Sequence, residues 1–253
     1  NTADWAKGAA RYGALLTPQG KVIADFIALR TETGVMLDVA RGAREELARR
    51  LKLFRLRAAV EIIPRDDVQV TLAAPDTPGA FADPRHPDMP QRCFATAGTG
   101  VAAPEYEVTR IAHGLPEQGK DFAGSDVFPA DVNLDLHGGV DLKKGCFVGQ
   151  EVVSRMHRRG KIRKRTIVLH TSASDAARLP ALSPSEPLPV HCGSRPVGEV
   201  TSAAGSVVLA RVRTDRLAAD LAEGGRLSLG DIPVTLEKTV WLQDEMAASL
   251  SHD

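Results

Sequence analysis

The chain has 253 residues, of which 43% are apolar and 25% are charged. This composition excludes global disorder, and the length accommodates about one to three domains. The 32 lysine and arginine residues balance the 32 aspartate and glutamate residues, which excludes a uniformly basic protein that binds nucleic acid through its overall charge. No apolar run approaches the roughly 20 residues of a transmembrane helix, so we predict no membrane partner.

The first predicted elements are two strands and a helix. Residues 21–29 are apolar and partly β-branched, which predicts a buried strand with one acid, Asp25. A shorter strand is predicted over 35–39. Residues 43–54 place apolar side chains on one face and arginines on the other, which predicts an amphipathic helix.

Two more strands are predicted over 58–63 and 68–74, joined by a turn that begins at Pro64. The proline-rich stretch 75–90 predicts an irregular loop, and residues 106–113 predict a helix that ends at a glycine. This order of strands and helices is typical of an α+β fold and differs from the regular alternation of a doubly wound sheet.

The composition changes after residue 165. Short apolar runs recur between glycine, aspartate and proline residues, and their spacing predicts a small antiparallel β-barrel as a separate domain. The residues after 243 are predicted to fray. The strands are predicted over 166–170, 197–201, 206–212, 226–229 and 234–241, with a helix over 214–221.

The cysteines indicate the cellular compartment in which the protein is expected. Cys93, Cys146 and Cys192 stand far apart, and an odd number without a CxxC pair argues against a secreted disulfide scaffold and against a local zinc or iron–sulfur site. We therefore predict no resident metal and a reducing, cytoplasmic location. Because the chain starts at Asn1 without methionine, we also expect that further residues precede it in the natural protein.

The segment with the strongest chemical character is KKGCFVGQE at 143–151. Cys146 follows two lysines, and a helix is predicted to begin close after it; both features favour a thiolate. Gly145 and Gly149 allow backbone N–H groups to approach a ligand closely. On spacing alone, the alternative is a small buried cysteine between turn glycines, which is the more frequent situation of a free cysteine.

A basic run follows, with no acid between Val152 and Ser174. Such a run is either a solvated surface or a site for an anion, such as a phosphate backbone or a polycarboxylate. Phe147 is the only aromatic residue nearby, so a stacking platform for single-stranded nucleic acid is not predicted. The run consists of Arg155, His157, Arg158, Arg159, Lys161, Arg163, Lys164 and Arg165.

Alternating polar residues precede the nonapeptide. Asp131, Asn133 and Asp135 would share one face if their segment is extended. Their spacing is similar to part of a calcium loop, but the glycine and the distal glutamate of such a loop are absent at the required offsets. The acids therefore do not change the prediction that the chain holds no metal.

The nonapeptide closely resembles the signature K-G-C-(Y/F)-x-G-Q-E of the YgfZ-type folate-binding proteins, which are relatives of the glycine-cleavage T-protein, an aminomethyltransferase. Weaker resemblances follow the family's order along most of the chain. They are YGALLTPQGKVIADF at 12–26, DPR at 83–85, YEVTRIAHGLPEQGKDF at 106–122, PADVNLDLHGGVDLKKGC at 129–146 and GEVTSA at 198–203.

The resemblance implies an α+β fold with a three-domain, clover-like arrangement and a C-terminal antiparallel β-barrel. We expect a discontinuous first subdomain, an inserted subdomain, the barrel and a frayed tail. Their expected bounds are about 1–56 with 111–165, about 57–110, 166–243 and 244–253.

The resemblance also implies a tetrahydrofolate site. Asp25 matches an acid that lies close to the reactive folate nitrogen in T-protein relatives, and Asp131 falls where the T-protein has a folate-binding carboxylate. Asp131 is shorter than the glutamate of that pattern, which weakens the expectation of aminomethyl transfer. Cys146 is the expected reactive thiol. The expected folate-binding residues are Asp25, Asp131, Asn133, Lys144, Gly145, Gln150, Glu151 and Arg155.

The implied function is that of a tetrahydrofolate-binding accessory protein that acts in the assembly or repair of iron–sulfur enzymes. Its expected partners are folate and either the assembly machinery or its client enzymes. Two alternatives stay open. One is a folate-dependent one-carbon transferase similar to the aminomethyltransferase, and the other is an RNA-binding or tRNA-modification factor that uses the basic run.

Overall fold

The structure, a computed structural model, describes residues 4–74, 76–96, 104–158, 162–183 and 186–250. The chain divides into two units, and each is described by itself. The first unit comprises residues 1–106, 117–129 and 134–153, and the second comprises 107–116, 130–133 and 154–253. The finer division into subdomains that the sequence predicts stays a prediction.

A three-stranded antiparallel sheet begins the first unit, with β2 (Val22–Arg30) between β1 (Ala10–Leu16) and β3 (Val35–Val39). β2 is mostly buried, which confirms the strand predicted over 21–29. The register of the pair places Asp25 of β2 opposite Ala14 of β1.

One helix covers this sheet. A 3₁₀ turn over Arg41–Ala43 leads into α1 (Arg44–Phe54), and both contribute to the core. Ala43 and Leu47 pack with the fully buried Ala24 of β2. The predicted amphipathic helix is therefore confirmed, with Leu47 and Leu51 packed on the sheet, whereas Phe54, predicted for the same face, is 47% exposed.

A separate two-stranded sheet follows, formed by β4 (Val68–Ala73) and β5 (Gln91–Thr96). The hairpin predicted between 58–63 and 68–74 is wrong, because β4 takes its partner from the segment after the proline-rich loop. Residues 58–63 form no strand. Strand propensity produces a strand only where a partner is available, and here β5 occupies that place.

Two further helices lie before the C-terminal sheet. α2 (Pro104–Ala112) agrees with the helix predicted over 106–113, and α3 (Gln150–Arg158) follows the nonapeptide's cysteine as predicted. A 3₁₀ turn occupies Pro129–Val132 between them. Among the described residues, no helix has the length and apolarity needed to cross a membrane.

The second unit is built on a seven-stranded antiparallel sheet. Its outermost strands, β11 (Ile232–Pro233) and β12 (Thr235–Leu236), lie at opposite edges of the sheet. In the sequence, Val234 alone separates them. Because one residue spans only about 4 Å, the sheet must curl until its edges nearly meet. The strands are β6 (Lys164–His170), β7 (Pro189–Cys192), β8 (Arg195–Ala204), β9 (Val207–Arg213), β10 (Leu227–Leu229), β11 (Ile232–Pro233) and β12 (Thr235–Leu236), in the order β11-β10-β7-β8-β9-β6-β12.

This barrel confirms the α+β fold class and its predicted C-terminal antiparallel barrel. A short helix, α4 (Ala173–Ala176), follows β6, and α5 (Thr214–Ala222) contributes Leu217 to the barrel core. Gly198 of β8 pairs with Val212 of β9. A Cβ atom there would stand 2.3 Å from the carbonyl oxygen of Arg211, so only glycine fits.

The C-terminal segment differs from its prediction. Residues 244–250, most of the part expected to fray, belong to a helix, α6 (Val240–Leu250). Leu242 is buried in the barrel core, and Glu245 accepts hydrogen bonds at 3.0 and 3.1 Å from Nε of Arg165. A buried leucine and an ion pair therefore hold this helix in place.

Candidate functional site

The loop that carries Cys146 is shaped by an aspartate turn. Asp141 accepts hydrogen bonds from the backbone N–H groups of Lys143 at 2.9 Å and Lys144 at 3.1 Å. These two hydrogen bonds, the one from Lys143 first, lower the pKa of the Asp141 carboxyl. The turn fixes the backbone just before Gly145 and Cys146, so the thiol stands on a defined loop.

Cys146 differs from the other two cysteines in its exposure. It is the exposed one, whereas Cys93 is half-buried and Cys192 is 2% exposed. Burial raises the pKa of the Cys192 thiol, which disfavours its reactive form. The structure thus contradicts the alternative of a buried structural cysteine at position 146.

A glycine joins this loop to α3. Gly149 has φ +82°, and a Cβ atom there would stand 2.7 Å from the carbonyl oxygen of Thr17. Glycine therefore lets the start of α3 lie directly against the turn between β1 and β2. Gln150 Oε1 accepts a hydrogen bond from the Phe147 N–H at 3.3 Å. Because α3 begins only at Gln150, Cys146 lies before the first turn, where the helix dipole has weakened.

A second group of polar residues lies inside the first unit, around Asp25. The carboxyl of Asp25 is 8% exposed and accepts a hydrogen bond from the Tyr12 hydroxyl at 2.8 Å. Burial raises the pKa of Asp25 to about 6, against the opposing effects of the Tyr12 hydrogen bond and Arg85. Burial also raises the pKa of Tyr12 well above its usual value. Asp25 can therefore exchange a proton near neutral pH while Tyr12 keeps its own.

Two buried arginines extend this group. Arg85 donates hydrogen bonds to Asp83 from Nε at 3.0 Å and from Nη2 at 2.8 Å, and a third from Nη2 to the Tyr106 hydroxyl at 2.8 Å. Arg92 reaches the same Asp83 at 2.9 Å and Asp38 at 2.6 Å. The guanidinium of Arg85 also lies 5.9 Å from the centre of the Tyr12 ring. We name Asp38, Asp83, Arg85, Arg92, Tyr106 and Glu117 the buried charge network.

Glu117 connects the network to Asp25. Its carboxyl lies 3.5 Å from Nη1 of Arg85 and accepts hydrogen bonds from Tyr106 and Lys120. Burial alone would raise the pKa of Glu117, but Arg85 and Lys120 lower it to about 2. The next residue, Gln118, accepts a hydrogen bond from the Asp25 N–H at 3.3 Å. The network thus fixes a permanently ionised acid near one that titrates.

Asp131 and Asn133 do not lie in an extended segment, so the condition under which they would share one face is not met. The 3₁₀ turn ends at Val132, and Asn133 has the left-handed φ of +57°. The Asn133 amide donates to the Thr166 carbonyl at 2.7 Å and accepts from the Thr166 N–H at 3.4 Å. Asn133 therefore ties this turn to β6 and has both ends of its amide occupied. Asp131 is also buried, at 7% exposure.

The basic run is less uniform than its sequence. Arg165 is 2% exposed and forms an ion pair with Glu245 of α6, so it supports the barrel. Arg155 is exposed on α3. Arg159 and Lys161 lie outside the described residues. Among the described cations of the run, Arg165 is withdrawn from the surface, whereas Arg158, Arg163 and Lys164 are exposed like Arg155.

The predicted site residues fall into both units, and their roles stay predictions. The first unit contains Asp25, Lys144, Gly145, Cys146, Gln150 and Glu151, and the second contains Asp131, Asn133 and Arg155. Sequence reasoning missed Tyr12, Arg85 and Glu117 as site residues. All three lie within the quoted stretches of family resemblance, which is the signal that could have identified them.

Comparison with known proteins supports this fold. Residues 163–244 match the family model described as the CAF17 C-terminal β-barrel domain. The structure of the glycine cleavage system aminomethyltransferase T from Bartonella henselae superposes with a TM-score of 0.62 at 15% identity, over 95% of this chain and 77% of that chain. The predicted aminomethyltransferase-like fold is therefore confirmed.

Curated relatives include iron–sulfur cluster assembly factor IBA57 proteins, named as mitochondrial. The homologue of Mycosarcoma maydis is 29% identical over 225 residues, covering 76% of this chain and 56% of its own length. The homologue of Pyricularia oryzae is 31% identical over 182 residues, covering 62% of this chain and 46% of its own length. The human protein is 26% identical over 253 residues, covering 87% and 70%. The chain thus spans about half the length of the first two relatives.

These relatives correct one prediction. The mitochondrial location in their names contradicts the cytoplasmic location expected from the cysteines. Free cysteines indicate a reducing compartment and do not distinguish one such compartment from another. The comparisons otherwise agree with the resemblance seen in the sequence: the chain is similar to the IBA57 iron–sulfur cluster assembly factors and shares the aminomethyltransferase fold.

Proposed function

We propose that this protein is an accessory factor in the assembly or repair of iron–sulfur enzymes, and that it uses a tetrahydrofolate species together with the thiol of Cys146. The observation that carries the proposal is the exposed thiol on the aspartate-fixed loop of the nonapeptide. The names of the IBA57 relatives supply the process. In this function Cys146 presents its sulfur to an assembly protein or to a client enzyme.

The donor set of the first unit fits tetrahydrofolate chemically. A pterin presents adjacent N–H donors, which a carboxylate accepts well. Asp25 offers a buried carboxyl whose pKa of about 6 allows both the accepting and the donating form near neutral pH. Bound tetrahydrofolate would supply a carrier for a one-carbon unit. Tyr12 orients the Asp25 carboxyl, and the exposed Lys144 offers a cation for the carboxylates of a glutamate tail.

Asn133 does not fit a pterin-binding role, because Thr166 occupies both ends of its amide. Among the predicted acids we favour Asp25 for pterin binding, because its buried carboxyl has a pKa of about 6. The folate-binding roles of Gly145, Gln150, Glu151 and Arg155 rest on the family resemblance alone.

Replacing Cys146 by alanine should abolish the protein's activity in cells without unfolding it, because the side chain is exposed. We expect the purified variant to keep its melting temperature and its binding of tetrahydrofolate, while iron–sulfur enzyme activity in cells lacking the native protein is not restored. Cys93→Ala is the matched control and should restore that activity. Full restoration by Cys146→Ala would remove the thiol from the mechanism, and failure of the wild-type protein to bind tetrahydrofolate would remove the folate.

The aminomethyltransferase fold and the titratable Asp25 favour a second candidate, a folate-dependent one-carbon transferase. We expect such an enzyme to release ammonia from an aminomethyl donor only when tetrahydrofolate is present, and to lose this turnover in Asp25→Asn. Ammonia release from the correctly folded protein is the measurement. If none is detected while tetrahydrofolate binds, the accessory role is retained and the transferase is excluded.

A further inference from the structure

Large apolar side chains are concentrated on the surface at the C-terminal end of α1 and in the residues that follow it. Five of them occur within residues 53–63, and their exposure is far above that of core residues in the same unit. Exposed apolar groups in such density mark interaction sites, because burying them in a complex is favourable. They are Leu53 at 61%, Phe54 at 47%, Leu56 at 84%, Val60 at 57% and Ile63 at 65% exposure.

Residues 58–63 have the composition of a strand but lack a strand partner in the described part of the chain. Their sequence, AAVEII, contains the β-branched residues that strands favour. The chain leaves α1 through Leu56, whose φ of +52° is unfavourable for a branched side chain. Local turns occupy part of this backbone, because the Ala58 N–H donates to the Arg55 carbonyl and the Val60 N–H donates to the Ala58 carbonyl, both at 2.9 Å. Residues 61–63, which pair with no strand in the described part of the chain, offer the edge that β-strand addition by a partner requires.

The charges around the segment select the chemistry of that partner. Lys52, Arg55 and Arg57 are exposed among the apolar side chains, and Glu61 is the single acid within 52–63. By contrast, Arg44 and Arg50 of α1 are neutralised by Asp66 and Glu46. Arg55 donates a hydrogen bond to the Val60 carbonyl at 3.0 Å, and because that oxygen is uncharged, the positive charge of Arg55 remains available to an acidic partner together with those of Lys52 and Arg57.

We propose that residues 52–63 form a docking surface for an extended segment of a partner protein that alternates apolar and acidic side chains. A second copy of this chain is disfavoured because pairing 52–63 with itself would bring like charges together. A membrane surface is disfavoured as the partner. Binding to anionic lipids typically requires clusters of about four to eight cations, and residues 52–63 contain three. The proposal is independent of Cys146 and of folate.

A library of randomised octapeptides displayed against the full chain tests the proposal. We expect enrichment of peptides that alternate β-branched and acidic residues. Against Val60→Asp and Arg57→Glu, the enriched peptides should bind at least about tenfold more weakly. Val240→Asp is the matched control, because Val240 is 76% exposed and lies far along the chain; binding to it should be unchanged. Hydrogen exchange at the amides of 58–63 should slow when an enriched peptide binds.

Three results would overturn the proposal. One is the absence of any enriched peptide that is sensitive to Val60→Asp. Another is sedimentation of the chain with phosphatidylserine vesicles that Arg57→Glu abolishes, which would indicate a lipid surface. The last is a dimer in sedimentation velocity that Val60→Asp dissociates, which would indicate a second copy. Both substituted side chains are exposed, so the variants should fold, and an unchanged melting temperature verifies it.

Discussion

Arg85→Ala is expected to lower the free energy of unfolding by about 3–5 kcal/mol, because it removes one partner from a buried ion pair and leaves the other charges behind. The Arg85 side chain is 4% exposed and the Asp83 side chain is fully buried. Asp83 would keep Arg92, but Glu117 would lose the guanidinium that contributes most to its low pKa. Urea unfolding of the variant at neutral pH measures the loss.

Arg65→Ala is the matched control for this prediction. Arg65 forms the same two-pronged pair with Asp67, at 2.7 and 2.6 Å, but on the surface. We expect its removal to change stability little, because water screens the pair and solvates the remaining carboxylate. The loss of stability in Arg85→Lys should lie between the losses in Arg85→Ala and Arg65→Ala. Lysine keeps the positive charge but cannot form the two-pronged hydrogen bonds of a guanidinium. Equal losses for Arg85→Ala and Arg65→Ala would show that burial adds nothing to the network.

The network illustrates what the sequence can and cannot predict. DPR at 83–85 is recognisable as a family segment, but nothing in it indicates that Arg85 meets Tyr106 and Glu117. Those contacts join residues up to 32 positions apart, and tertiary folding decides them. Asp25 was identifiable because it is a lone acid in an apolar strand and matches an acid in the corresponding strand of T-protein relatives.

The secondary structure also divides into elements that local sequence predicts and elements that depend on distant partners. The strand at Val22–Arg30 and the barrel strands β8 and β9 follow from local patterns that burial reinforces, whereas β7 was not predicted and the strand predicted over 234–241 ends at Leu236. β5 (Gln91–Thr96) is mixed in polarity, so its strand depends on β4 rather than on its own pattern. The C-terminal helix α6 is held by an ion pair between its Glu245 and Arg165, which lies 80 residues away in the sequence. Distant partners of this kind leave no local pattern.

Asp25→Asn is expected to remove a pH dependence of stability. The pKa of Asp25 is raised from 3.8 to about 6 on folding, mainly by burial. The folded state therefore binds the proton more tightly than the unfolded state, so this stabilisation is complete below pH 3.8 and is lost as the pH rises through 6. A shift of about two units corresponds to about 3 kcal/mol. Asparagine has no charge to bury and should show no such loss.

The measurement compares the free energy of unfolding of wild type and Asp25→Asn in urea at pH 4 and pH 8. Taking the difference between the two proteins cancels the opposite pH dependence of Asp83 and Glu117, whose pKa values of about 2 are lowered by the buried arginines. Asp244→Asn, at an exposed carboxyl on α6, should leave the pH dependence unchanged. A difference that stays flat between pH 4 and pH 8 would mean that Asp25 is ionised in the folded protein throughout. Asp25 would then remain a hydrogen-bond acceptor for a pterin but could no longer serve as a proton donor near neutral pH.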